Sequence, residues 1–131
     1  MNMGRVITNL TIKNGTDPTK IIHCDGMVDT GASITVLPMA WKEKLGKFDS
    51  EIETDMKLAN GSQIKGLVCG PASIKVSGFR PVFGEIMFME MTLDEESEYE
   101  PLIGYVILES IPVAVDMLGH RLVPVKFLDC K

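Results

Sequence analysis

Aromatic residues are scarce in this chain: five Phe, two Tyr and one Trp, 6% of 131 residues. A core built here must be filled by aliphatic side chains and by the nine methionines, whose flexible thioethers fit irregular gaps. Cysteine is scarce as well. Cys24, Cys69 and Cys130 form an odd, sparse set, which excludes the disulfide framework of a small secreted scaffold. Free thiols in a reducing compartment are the expectation. Basic residues form no run, and the formal net charge is −5; both argue against a nucleic-acid partner, and the charge favours solubility. No apolar run reaches the ~18 residues a membrane span needs. The opening MNMGRVITNL has no long apolar leader core. The expected location is the cytoplasm, either for this chain alone or for a soluble domain of a larger protein, with no membrane contact.

Apolar residues, by contrast, are plentiful at 45%, enough for a buried core, and the length suits a single domain over 1–131. Their spacing is mostly two. RVITNLTI at 5–12 alternates and is rich in β-branched residues, which predicts a strand. NGTDPTK at 14–20 is turn-like, and IIHCDGMV at 21–28 reads as a second strand closing a hairpin. ITVLP at 34–38 is a short strand ended by Pro38. MAWKEKLG then suits a short helix, with Gly46 as its C-terminal cap. ETDMKLA and SQIKGLVC flank Asn60-Gly61, a strong hairpin signal, so a hairpin is predicted over about 53–69. PASIKVSG and PVFGEIMFMEM read as further strands, DEESEYE at 94–100 as a solvated acidic loop, and PVAVDMLGHRLVPVKF as a closing hairpin. Many short strands with one or two short helices predict a mostly β fold, a small closed barrel or sandwich. One internal echo stands out: GMVDTGA and YEPLIGY each run apolar residues into a glycine.

Within this pattern Asp29-Thr30-Gly31 is anomalous. An unpaired carboxylate is costly to bury, so one at the end of an apolar strand must be paired, hydrogen-bonded or protonated. Gly31 permits a tight turn and close backbone approach; the Thr30 hydroxyl can tie the turn to a neighbour. Such an aspartate is either a turn-forming residue or a catalytic acid/base. Asp-Thr-Gly alone is a common turn. Here, however, Met27 and Val28 precede it, and Ala32, Ile34, Val36 and Leu37 follow it, an apolar setting unusual for a surface turn.

VDTGASITVLP, residues 28–38, resembles the active-site segment of the retropepsin-like (retroviral-type) aspartic proteases. The Asn60-Gly61 hairpin lies where that family places its flap. PLIGY at 101–105 resembles its second signature, two apolar residues and a glycine before a short helix, and VDMLGHRLVPV at 115–125 resembles its closing strands. The likeness runs from about residue 20 to 127 and looks nearest to the cellular and bacterial single-domain members. The resemblance implies a small closed barrel of the acid-protease type. It implies Asp29 as the catalytic residue, supported by Thr30, Gly31 and Ala32. Ala59, Asn60, Gly61 and Ser62 would form a substrate-covering flap, and Leu102, Ile103 and Gly104 would back the site. Two departures bear on assembly. Ser33 and Tyr105 stand where viral enzymes often carry an aspartate and an arginine, so the charged pair that braces the viral dimer is absent. The stretch ANGSQIKG also has only Gly61 and Gly66 where viral flaps are glycine-rich.

Aspartic-protease chemistry needs two carboxylates sharing one proton, and the chain holds one Asp-Thr-Gly. The expectation is therefore a homodimer with an Asp29/Asp29 dyad across a twofold axis, cutting peptide or protein substrates with neither metal nor cofactor. The alternative is a non-catalytic peptide-binding or dimerisation module on the same fold; an incidental turn in a structural β domain is a third reading. His23-Cys24-Asp25 resembles a metal cluster only superficially, because adjacent strand residues point to opposite faces. Trp41 and the methionine-rich IMFMEM at 86–91 are expected in the core. Cys69 has no recognisable catalytic partner.

Overall fold

The computed structural model describes residues 6–28, 34–57, 61–91, 99, 101–104, 113–116 and 121–124. In chain order the strands are β1 Ile7–Asn14, β2 Asp17–Val28, β3 Thr35–Pro38, β4 Ser50–Lys57, β5 Gln63–Val76, β6 Val82–Met89, β7 Leu102–Ile103, β8 Val113–Asp116 and β9 Arg121–Pro124. A 3-10 turn at Met39–Trp41 leads into a short helix, α1, Lys42–Leu45, the one α-helix among the described residues. Seven strands form one sheet in the order β1-β2-β7-β3-β6-β5-β4, and β1 also pairs with β5. That extra pairing closes six strands into a ring and leaves β4 attached to the outside of β5. The mostly β architecture expected from the alternating pattern is the one observed.

The core follows from period-two alternation. Leu10, Ile12 and Asn14 of β1 face inward opposite Val76, Ile74 and Ala72 of β5. Leu37, Leu45, Phe48, Ile86, Phe88 and Ile103 complete the interior. Phe48 and Phe88 meet with ring centroids 6.1 Å apart at 56°. Burying each such side chain stabilises the fold by about 1.5–3 kcal/mol. One departure from alternation is informative: Ile86, Met87 and Phe88 are all buried in succession. Met87 points to the face opposite its neighbours and lies over Gly66, where a Cβ would come 2.7 Å from its sulfur. The missing side chain at Gly66 makes the room.

Three local readings sharpen. The turn predicted over 14–20 occupies only Gly15–Thr16. Asn14 Oδ1 accepts bonds from the Thr16 backbone N–H and hydroxyl, and Asp17 Oδ1 accepts from those of Thr19, so the polar residues close a tight turn and the strand resumes at once. Buried Asn14 also donates to the carbonyls of Leu45 and Lys47, both at 2.8 Å, which fastens the end of α1 to the hairpin. In the β4–β5 hairpin the last pair is Lys57 with Gln63. The connection is therefore longer than a two-residue Asn60-Gly61 turn, although Gly61 does take the left-handed backbone, φ +87°. The closing hairpin is present as β8 paired antiparallel with β9; its tip at 117–120, the helix-like stretch 105–110 and the acidic loop apart from Tyr99 lie outside the described residues.

Helix α1 is tied to β4 through Glu51. Its carboxylate accepts the Phe48 backbone N–H at 2.8 Å and pairs with Lys42 Nζ at 2.9 Å. The backbone bond first, and the lysine second, hold Glu51 below its ordinary 4.5. A depressed carboxylate contributes stability above its unfolded pKa, and that contribution is lost as pH falls through the lower folded value. Urea denaturation of wild type and Glu51→Gln is thus expected to show wild type more stable at neutral pH, with the gap closing as pH falls below the ordinary 4.5. A gap independent of pH would contradict the assignment.

Candidate active site

Both ends of the 29–33 segment are fixed against β7. On the entry side, Met27 and Val28 of β2 pair parallel with Leu102 and Ile103. The Met27 N–H donates to Pro101 O, and the Val28 N–H to Val6 O, both at 2.8 Å. On the exit side, Val36 of β3 pairs antiparallel with Leu102. Strand β7 therefore lies between the two strands that carry the chain into and out of Asp29-Thr30-Gly31. The internal echo has a structural meaning, since GMV and PLIG run side by side in the same direction.

Glycine at 104 is demanded by this arrangement. It is buried, and a Cβ there would come under 3.0 Å from the carbonyl carbon, oxygen and Cα of Ile34. Its N–H donates to Thr35 Oγ1 at 3.1 Å. Thr35 is one of two fully buried polar residues among those described, the other being Asn14, and this bond explains why a hydroxyl is tolerated there. Sequence reading missed Thr35; the available signal was a lone polar residue inside the apolar run ITVLP. Thr35→Val keeps the shape but leaves the Gly104 N–H without its partner, and is expected to cost about 1–3 kcal/mol in guanidinium denaturation, with Thr35→Ser costing less. Equal stability of the valine variant would contradict the role.

An apolar row crosses the sheet beside the segment. Met27, Leu102, Val36, Met87 and Val68 are successive partners on β2, β7, β3, β6 and β5. Met27 and Leu102 are half-buried, whereas Val36 and Met87 are buried. Of the residues expected to carry function, Leu102 and Ile103 form β7 beside Met27 and Val28, and Gly104 packs on the Ile34 backbone. Gly61 and Ser62 are exposed at the end of the β4–β5 hairpin. Asp29, Thr30, Gly31, Ala32, Ala59 and Asn60 lie outside the described residues.

Among the described residues no group of three His, Cys, Asp or Glu side chains could hold a metal ion. His23 and Asp25 are exposed on one face of β2, bonded to Thr11 and Asn9, while Cys24 turns towards the core. These three residues, with Trp41 and Tyr99, line a pocket of about 350 Å³. Trp41 is half-buried against the core and meets Tyr99 edge-on, centroids 6.1 Å apart. Burial, reinforced by Asp25, pushes the Cys24 thiol up to about 11; burial and then Glu51, opposed by Lys42, raise Cys69 to about 11. Neither thiol is an available nucleophile at neutral pH. Among the described residues no helix is long and apolar enough to cross a membrane.

Comparison with known proteins defines the class. Among solved structures the chain is similar to EIAV protease complexed with the inhibitor HBY-793, at 20% identity and a TM-score of 0.58, over 95% of this chain and 92% of that one. A likeness at that identity establishes the fold, which is retropepsin-like. A family described as aspartyl protease matches residues 9–105, a range that contains both the Asp29 segment and Gly104. The chain belongs to the aspartyl protease family. No curated protein matches it.

Proposed function

We propose that this protein is an aspartic endopeptidase that works as a homodimer, with Asp29 of one chain and Asp29 of a second copy forming the catalytic dyad. The observation that carries the reading is the capture of both ends of the 29–33 segment by β7, through the Met27–Leu102 and Val28–Ile103 pairs and the packing of Gly104 on Ile34. Flanking strands fixed this way support a catalytic reading of Asp29, because catalytic geometry requires a rigid anchor on both sides.

The mechanism follows from the chemistry of two close carboxylates. They share one proton, because two like charges a few ångströms apart do not both ionise. The ionised carboxylate takes a proton from a water molecule, which attacks the scissile carbonyl, while the protonated one donates to the carbonyl oxygen. Collapse of the tetrahedral intermediate passes a proton to the leaving amine, with no covalent intermediate. The pH dependence of such a site belongs to the pair rather than to either residue. Thr30 ties the two copies together across the axis, Gly31 and Ala32 face the bound peptide, and the apolar row of Met27, Leu102 and Val36 borders it. The hairpin over 53–69, with Ala59, Asn60, Gly61 and Ser62 at its tip, closes over substrate as a flap. The whole of 1–131 acts as one such domain, in the cytoplasm.

Digestion of a peptide library at acid and neutral pH, by wild type beside Asp29→Asn, tests this reading. Cleavage by wild type alone is the expected result; cleavage that persists in the variant would overturn it.

A further inference from the structure

A second surface feature stands apart from the site. Opposite Glu85 of β6, two residues of β5, Gly70 and Pro71, interrupt the pairing between Cys69–Ile86 and Ala72–Gly84. Such a bulge spreads the strands. With no side chain at Gly70, it leaves a groove of about 430 Å³ on the outer face of the sheet. Phe83 forms one wall and is 69% exposed, the most exposed of the large apolar residues described. Asp49 and Glu85 are the charged residues that line it, and both are acidic. The nearby cation Lys42 is already engaged by Glu51 and by the Gly46 carbonyl. On the far side of Phe83, beyond its partner Ser73, the same face of β5 and β1 carries Lys75 and Lys13.

We propose that this groove docks a partner protein through a short segment combining basic and bulky apolar residues. An aromatic wall left in water favours an apolar side chain laid against it. Two carboxylates at one end, with no ion pair among the described residues, favour Arg or Lys there. The lysines at the opposite end fix the direction, since a cation placed beside them is repelled. The proposal concerns recognition outside the catalytic cleft and does not depend on the protease reading.

The test uses full-length protein carrying Asp29→Asn, so that peptides stay intact, and two fluorescein-labelled probes. One is Arg-Arg-Leu-Phe-Leu-Gly; in the other, both arginines are glutamates. Fluorescence anisotropy is expected to show the arginine probe binding about tenfold more tightly. Phe83→Ser and Glu85→Lys are each expected to weaken it about fivefold, while Ile7→Ser, an exposed apolar residue at the far end of β1 from Lys13, leaves it unchanged. Both substitutions lie on solvent-facing positions, and circular dichroism verifies the fold. Equal binding of the two probes, or full binding by both groove variants, overturns the proposal. So does a loss of self-association in Phe83→Ser by sedimentation velocity, which would make a second copy of this chain the occupant.

Discussion

A single methyl group added at residue 104 is expected to cost about 3 kcal/mol or more of folding stability, among the largest effects of any one-carbon change in this chain. The atoms in its way are the backbone of Ile34, and backbone held in a strand cannot rotate aside as a side chain can. Relief requires β7 to move away from β3, which breaks the Gly104–Thr35 bond and loosens the Val36–Leu102 pair. The contrast is Gly61→Ala. That glycine has φ +87° and open space around its Cβ direction, so its substitution costs only the ~1–2 kcal/mol of a left-handed backbone. Urea denaturation of the two variants beside wild type gives the comparison. Gly104→Ala within 1 kcal/mol of wild type would mean that β7 is not clamped as described.

The largest effect on activity is expected from Asp29→Asn, a fall in peptide hydrolysis of at least about 10³-fold. An amide has nearly the shape of the carboxylate but can neither take the proton from water nor share one with a partner. Stability should move in the opposite direction, or not at all. Two carboxylates brought together across an axis repel when both ionise, and a neutral amide relieves that cost. The paired outcome of lost hydrolysis with an undiminished urea midpoint separates a catalytic aspartate from a structural one. An aspartate that merely closes a turn would give up stability and leave hydrolysis intact.

Much of this was legible from the sequence because strands announce themselves by alternation. The β1–β2 hairpin, the short β3, the helix ended by Gly46 and the β4–β5 hairpin all follow from patterns a few residues long. Strand β7 does not. Two residues, Leu102 and Ile103, carry no periodicity, and their parallel pairing with Met27 and Val28 joins positions far apart in the chain. Only the resemblance of PLIGY to a family signature marked the place. The partnership of Thr35 with Gly104 was hidden for the same reason. The groove at Gly70–Pro71 was illegible because a bulge is a mismatch between two strands, and neither strand alone records it. Gly26 shows the same limit: its place in a strand was legible, but not its reason, which is the inward-facing Leu10, whose Cδ1 would lie 2.9 Å from an added Cβ.

The central claim is that one Asp29 comes from each of two chains, and subunit mixing tests it most directly. Wild type and Asp29→Asn are mixed at fixed total concentration under conditions that allow exchange, and hydrolysis of a peptide substrate is followed against the wild-type fraction. If both aspartates are needed, activity falls as the square of that fraction, to about a quarter at an equal mixture, because only wild-type pairs are active. A linear fall, to about half at an equal mixture, would mean that one chain suffices and would contradict the account.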